Sequence, residues 1–191
     1  MTFDFEPYRF TIDPAQNPPW HMDERHIRML FEALKDLADC SLVRPFKAIE
    51  IGSHRGASTA AFVEALNAGL IDSLTCIEPH PTPELHKVLA RVRQGTARLL
   101  PKLSQACELN ADIVFIDGDH DWPALHEVAR CLALDVPVIA MHDTRGHYGC
   151  GGSALAAAVL REAVNRAYTE DFEMRPGEFT HRGFLVSIKV E

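Results

Sequence analysis

The sequence predicts an α/β fold in which a mostly parallel sheet carries helices on both faces, and three observations carry that prediction. Short apolar runs recur near residues 46–51, 112–116 and 136–141, and the latter two are apolar at successive positions, as central parallel strands require. Between the runs lie segments whose apolar residues return at helical spacing. The first run opens directly into the turn EIGSHRGAS, Glu50 to Ser58, and then into an alanine-rich helical stretch. Strand, glycine turn and helix in that order begin a nucleotide-binding α/β unit, because glycines let a ligand approach the backbone where a Cβ would block it.

Length and composition agree with a single domain over residues 1–191. A chain of 191 residues is long enough for one core, and 47% hydrophobic with 24% charged residues is ordinary for a globular protein. A formal net charge of −8 argues against a nucleic-acid partner, which would demand a basic face. Five widely spaced cysteines, without a C-x-x-C pair, read as buried thiols of a reducing compartment. The first residues, MTFDFEPYRF, are acidic where a secretory leader is basic, and no apolar run approaches the roughly 18 residues of a membrane span. The expectation is a cytoplasmic protein without a membrane partner.

Taken in order, residues 1–20 form an N-terminal arm with four prolines and an alternation of Phe3, Phe5, Tyr8 and Phe10 that suggests packing across a substrate entrance or a second subunit; a homodimer is the expectation this raises. Residues 21–40 form a leading helix with Ile27, Leu30, Phe31, Leu34 and Leu37 on one face. The helix after the glycine turn spans 58–68 and stops at Gly69. The second strand is 74–78. Thr82 caps and Pro83 starts a helix to about residue 90. A third strand over 92–96 and a helix over 97–107 follow, then the fourth strand, a helix that Asp121 caps, and the fifth strand. A glycine-rich loop over 147–152 leads to a helix from Ser153 to about Tyr168. Strands near 172–175 and 184–190, joined through Pro176-Gly177, close the chain as an antiparallel pair.

The spacing E-x-G-x-x-x-G departs from the dinucleotide pattern G-x-G-x-x-G, and no Lys-Ser/Thr pair of a triphosphate loop follows. Glu50, just before the turn, suits a ligand with an ammonium group better than one with a pyrophosphate, since two anions repel. Glu78 ends the second strand, where a carboxylate can accept hydrogen bonds from both hydroxyls of a ribose. The densest polar cluster is Asp117, Asp119, His120 and Asp121 at the end of the fourth strand, and His142-Asp143-Thr144 follows the fifth. Neighbouring strands would let Asp117, His142 and Asp143 converge.

EIGSHRG, Cys76-Ile77-Glu78, Ile116-Asp117-Gly118-Asp119-His120 and Met141-His142-Asp143-Thr144, in that order, resemble the motifs of the class I S-adenosylmethionine-dependent methyltransferases. The branch they resemble holds small O-methyltransferases acting on macrolide sugars and catechols. The resemblance covers residue 46 to the C-terminus and implies a Rossmann-like methyltransferase fold: seven strands, mostly parallel, with an antiparallel terminal strand. It implies S-adenosylmethionine as cofactor, held by Glu50, Gly52, Ser53, Gly56, Ser58, Glu78, Thr96 and Asp117. It implies Mg2+ or Mn2+ on Asp117, His142 and Asp143, and His120 as general base with Asp117 in the catalytic set.

That chemistry is physically coherent. Displacement at a sulfonium methyl needs a good oxygen nucleophile, and a metal or a base near neutral pKa makes one of a hydroxyl. The expected function is methylation of a small-molecule hydroxyl, sugar or phenol. The alternatives are a metal-independent methyltransferase with another acceptor, and a domain that binds S-adenosylmethionine without turnover.

Overall fold

A computed structural model describes residues 2–12, 22–40, 46–145, 151–173 and 182–190. Seven strands form one sheet in the order β3-β2-β1-β4-β5-β7-β6. The chain divides into two compact units, Met1–Leu103 and Ser104–Glu191.

In the first unit, α1 (Glu24–Cys40) follows the arm, and β1 (Lys47–Ile51), α2 (Thr59–Asn67), β2 (Ser73–Ile77), α3 (Pro83–Leu89) and β3 (Thr96–Leu100) alternate. β1 pairs with β2 and β2 with β3, all parallel. The leading helix predicted over 21–40 is α1, and its face Ile27, Leu30, Phe31 and Leu34 is buried. Thr82 caps α3 as predicted, its Oγ1 accepting the Leu85 N–H at 3.2 Å. The arm is packed: Phe3, Phe5, Tyr8 and Thr11 are buried, and a short 3-10 helix spans Glu6–Thr11. Phe3 lies 5.4 Å from the Phe31 ring, and the Tyr8 hydroxyl donates to Glu64. Residues 13–21 of the predicted arm and helix start lie outside the described residues.

The third strand required correction. It is Thr96–Leu100, where a strand over 92–96 and a helix over 97–107 were predicted. Ala97, Leu99 and Leu100 are good helix formers, but pairing with β2 overrides that preference. Gly95 sets the strand's start. Its φ is +76°, and a Cβ there would lie 2.6 Å from Leu66 Cδ2 and 2.9 Å from the Asp72 carbonyl oxygen.

The second unit holds β4 (Ile113–Ile116), α4 (Trp122–Ala133), β5 (Val138–His142), α5 (Gly151–Arg161), β6 (Arg166–Glu173) and β7 (Arg182–Lys189). β4 and β5 are buried at every position and pair in parallel, while β7 runs antiparallel to both β5 and β6. The terminal antiparallel pair is thus present with different bounds. α5 ends at Arg161, and Arg166 to Tyr168, predicted as helix, pair with Ser187 to Lys189 of β7. Asn165 in the left-handed region (φ 61°) makes the break. α5 also starts before Ser153, whose N–H and hydroxyl donate to the His120 carbonyl oxygen at 3.0 and 3.3 Å. Residues 146–150 of the glycine-rich loop and Pro176-Gly177 lie outside the described residues.

One buried acid gives this unit a pH dependence. The Ser104 hydroxyl donates to Glu127 Oε1, while Glu127 Oε2 is buried without a hydrogen-bond partner. Burial, with the nearby Asp119 charge and against the Ser104 bond, pushes the Glu127 carboxyl up to about 7. A carboxyl raised in the folded state stabilises at low pH, so stability falls as pH rises from the unfolded value of 4.5 through about 7. Full ionisation costs about 3 kcal/mol. Glu127→Gln should therefore flatten the decline of Tm between about pH 5 and about pH 8 and raise Tm at the alkaline end; a parallel decline in both proteins would refute this.

Candidate active site

In the first unit the site is built on the turn after β1. Gly52 (φ 86°), His54 (φ 42°) and Gly56 (φ 89°) are all left-handed, so three positions in five bend the chain from strand to helix. The Gly52 N–H donates to the Ile77 carbonyl at 3.0 Å, tying the turn to the end of β2. Gly56 serves packing: a Cβ there would lie 3.0 Å from Val88 Cγ2 of α3.

Glu50, expected beside the cofactor, has its carboxyl turned to hydroxyls of its own turn and helix. It is 0% exposed, and its carboxylate accepts from the Ser58 hydroxyl at 2.6 Å, Thr59 at 2.7 Å, Ser53 at 2.8 Å and the Cys76 thiol at 3.3 Å. Burial raises the Glu50 carboxyl above its ordinary range while the three hydroxyls pull it back. A carboxyl so enclosed is held by the protein itself, and the Ser53 and Ser58 hydroxyls donate to it. It ties β1, the turn, α2 and β2 together. Glu50→Ala strands four donors in the core, so it should lower stability by about 3 kcal/mol, read as a Tm drop, with Glu50→Gln losing less; an unchanged Tm would contradict this role.

Glu78, just past β2, is poised differently. Its Oε2 accepts the His54 N–H at 2.8 Å and its Oε1 the His80 N–H at 2.9 Å, which fixes the carboxylate while each oxygen keeps a lone pair for another donor. Thr96 is not brought beside it. Thr96 pairs with Ser73 at the amino end of β2, roughly 16 Å of strand from Glu78 at the other end. Arg55 donates from Nε to the Thr11 carbonyl at 3.0 Å and lies 3.5 Å from Glu84, so the turn holds the end of the arm.

In the second unit, the carboxyl ends of β4 and β5 bring together Asp117, His142 and Asp143, the set expected to converge, and His120 joins them. One ligand atom each from Asp117, His120 and Asp143 lies within 4.8 Å of the others. His120 Nε2 is 3.3 Å from Asp143 Oδ2, and His142 Nδ1 is 3.2 Å from Asp117 Oδ1 and 3.5 Å from Asp143 Oδ1. Arg182 Nε stands 3.9 Å from Asp143 Oδ1. Asp143 reaches this position through a left-handed backbone (φ 53°), which aspartate tolerates better than most residues.

The two histidines differ in kind. The His142 side chain is 1% exposed; burial alone would lower its pKa, but the Asp117 and Asp143 carboxylates outweigh that and push it up to about 10. Burial raises the Asp143 carboxyl, and His142, with help from His120 and Arg182, more than reverses that to hold it well below the ordinary range. His142 thus faces both carboxylates through Nδ1, as their charge partner in this arrangement. The ligand atoms that lie mutually close are those of Asp117, His120 and Asp143, with His142 beside them. The His120 side chain is 36% exposed and touches Asp143 from the open side. Asp119 accepts the Asp121 N–H at 3.2 Å, and the Asp121 side chain makes no cap bond to α4, so the local turn rests on Asp119 where the sequence assigned the cap to Asp121.

The strand order and the closing antiparallel pair define the fold of the class I methyltransferases. The methyltransferase domain family model matches residues 49–144, and the chain belongs to that family of methyl-transferring enzymes. No curated protein matches the chain. Among solved structures, it resembles the O-methyltransferase TomG from Streptomyces achromogenes, involved in tomaymycin synthesis and in complex with SAM, at 15% identity over 100% of this chain and 92% of that one (TM-score 0.68). The cofactor-bound Rv0187 protein from MTB is similar at 14% identity over 96% and 86% of the two chains (TM-score 0.67). An O-methyltransferase from Bacillus cereus in complex with SAH is similar at 14% identity over 89% and 93% (TM-score 0.53). Among the described residues no helix is long and apolar enough to cross a membrane.

Proposed function

We propose that residues 1–191 work as one methyltransferase domain that moves the methyl group of S-adenosylmethionine to a hydroxyl of a small molecule, a sugar or a phenol. Family membership supports the transfer, and the solved relatives TomG and the Bacillus cereus enzyme hold SAM and SAH. The observation that carries the finer reading is the convergence of Asp117, His120 and Asp143 within 4.8 Å, two hard oxygen donors beside an accessible imidazole.

Glu78 is the residue proposed to hold the ribose hydroxyls, and Gly52 keeps the backbone bare where the donor approaches. His120 is the proposed base. With its Nε2–H directed to Asp143, the Nδ1 lone pair is free to take the acceptor's proton as the oxygen bonds to the methyl carbon and the carbon–sulfur bond breaks. Asp117 and Asp143 fit a hard divalent cation such as Mg2+ or Mn2+ by donor type, and such an ion supplies Lewis acidity that lowers the acceptor hydroxyl's pKa. His142 holds both carboxylates in place from beneath.

A second reading drops the metal, and one observation favours it: His142 and Arg182 already supply cationic charge against Asp117 and Asp143. Titration calorimetry of metal-stripped protein with S-adenosylmethionine and its demethylated product, followed by turnover of phenol and sugar acceptors with and without Mg2+ or Mn2+, separates the two. Failure to bind either ligand under every metal condition would refute the methyltransferase reading itself.

A further inference from the structure

The first unit contains a cleft that the methyl-transfer chemistry does not use. It has a volume of about 570 Å³ and opens between the arm, the carboxyl end of α2 and the segment after α3. Its walls include Phe3, Tyr8 and Phe31 on the apolar side, and Asn67, Arg91 and Arg93 on the polar side. A volume of this order is that of a small-molecule pocket. The cleft is separate from the cofactor turn, because Asn67 ends α2 while the turn precedes Thr59, about 13 Å of helix away.

The polar wall is constructed. Asn67 Oδ1 accepts the Arg93 N–H at 2.7 Å and Asn67 Nδ2 donates to the Arg91 carbonyl at 3.2 Å, so a single amide clamps the loop that carries both arginines. The Arg91 guanidinium lies 5.0 Å from the Tyr8 ring centroid and 5.5 Å from that of Phe10, a stacking that orients it without neutralising it. Neither Arg91 nor Arg93 forms an ion pair among the described residues, although Asp4 and Glu64 also line the cleft. Those two acids are engaged elsewhere: Asp4 accepts the Glu6 N–H at 3.0 Å, and Glu64 accepts the Tyr8 hydroxyl. Arg91 and Arg93, carried on one loop beside the aromatic side of the cleft and without an ion pair to Asp4 or Glu64 among the described residues, fit a planar organic anion whose carboxylate or phosphate takes the arginine forks.

We propose that this cleft is a second ligand site of the protein, specific for a small aromatic acid. The site stands whether or not the methyl-transfer reading does.

The test uses the full chain with 4-hydroxybenzoate and phenyl phosphate as probes and benzamide as the neutral control, followed by saturation-transfer NMR and calorimetry. The acids should bind saturably, with benzamide weaker by about tenfold or more. Arg93→Ala, at an exposed position, should weaken the acids about tenfold, and the Arg91→Lys/Arg93→Ala pair further, while His120→Ala leaves them unchanged. Equal binding of benzamide, acid binding lost in His120→Ala but kept in the arginine variants, or no saturable binding to the folded wild-type chain would each overturn the proposal. Circular dichroism of every variant shows that it is folded before its affinity is compared.

Discussion

Asp143→Asn should reduce methyl transfer by about a hundredfold to a thousandfold while leaving the fold intact. Asparagine accepts the left-handed backbone that Asp143 adopts (φ 53°), so the substitution removes charge without bending the chain. The lost charge does several things at once. It orients His120 from 3.3 Å, pairs with His142 from 3.5 Å and attracts Arg182 from 3.9 Å. Without it the His120 imidazole loses its anionic partner, the anionic oxygen donor becomes a neutral amide and the elevated pKa of His142 falls. Steady-state kinetics with a saturating donor measures the loss, and calorimetry with Mn2+ measures the metal's share. The loss should appear in turnover and not in donor affinity. A variant with wild-type turnover would remove Asp143 from the mechanism.

Glu78→Ala should weaken S-adenosylmethionine binding about a hundredfold. Two charge-assisted hydrogen bonds to ribose hydroxyls are worth roughly 3 kcal/mol together, and 1.4 kcal/mol is tenfold in affinity. A further loss follows from the turn, because Glu78 also holds the His54 and His80 N–H groups at 2.8 and 2.9 Å. Glu78→Gln separates these contributions. Its amide keeps one acceptor oxygen and should recover part of the affinity, which calorimetric titration resolves. Equal affinities in the wild-type chain and both variants would put the ribose elsewhere.

The elements that proved legible in sequence are those whose pattern is set by burial on both faces. β4 and β5 are unbroken apolar runs because parallel strands meet helices above and below. Thr82-Pro83 marks α3 because capping is local chemistry. β3 was hidden by contrast, since its only strong strand partner is β2 and its residues favour helix when considered alone. The same holds for residues 166–168, which are strand solely through β7, a segment some twenty residues later.

At the site, order along the chain revealed which residues meet at the strand ends but not which way each side chain turns. Asp117, His120 and Asp143 were found on that basis. The burial of His142 was not, because a single left-handed residue, Asp143, decides how the pair is presented, and nothing in His-Asp-Thr announces it. Glu50 misled for a related reason: a carboxylate before a glycine turn looks like a ligand group until the three hydroxyls that enclose it are counted. Ser53, Ser58 and Thr59 lie three, eight and nine residues on, and that cluster of hydroxyls was the available signal.

The enclosure of Glu50 bears on the thermodynamics of ligand entry. A loop that folds around its ligand loses conformational freedom on binding, and the affinity suffers by that amount. Here the strand, the bend and the helix start are fastened to one carboxyl from within, so the turn proposed to meet the donor has its shape before any donor arrives. Amide protons of residues 52–60 should then exchange slowly in the absence of any ligand, and binding should slow them little further. The entropy of ordering this segment is spent at folding, once per molecule, so a donor bound there as proposed would meet a rigid cradle each time.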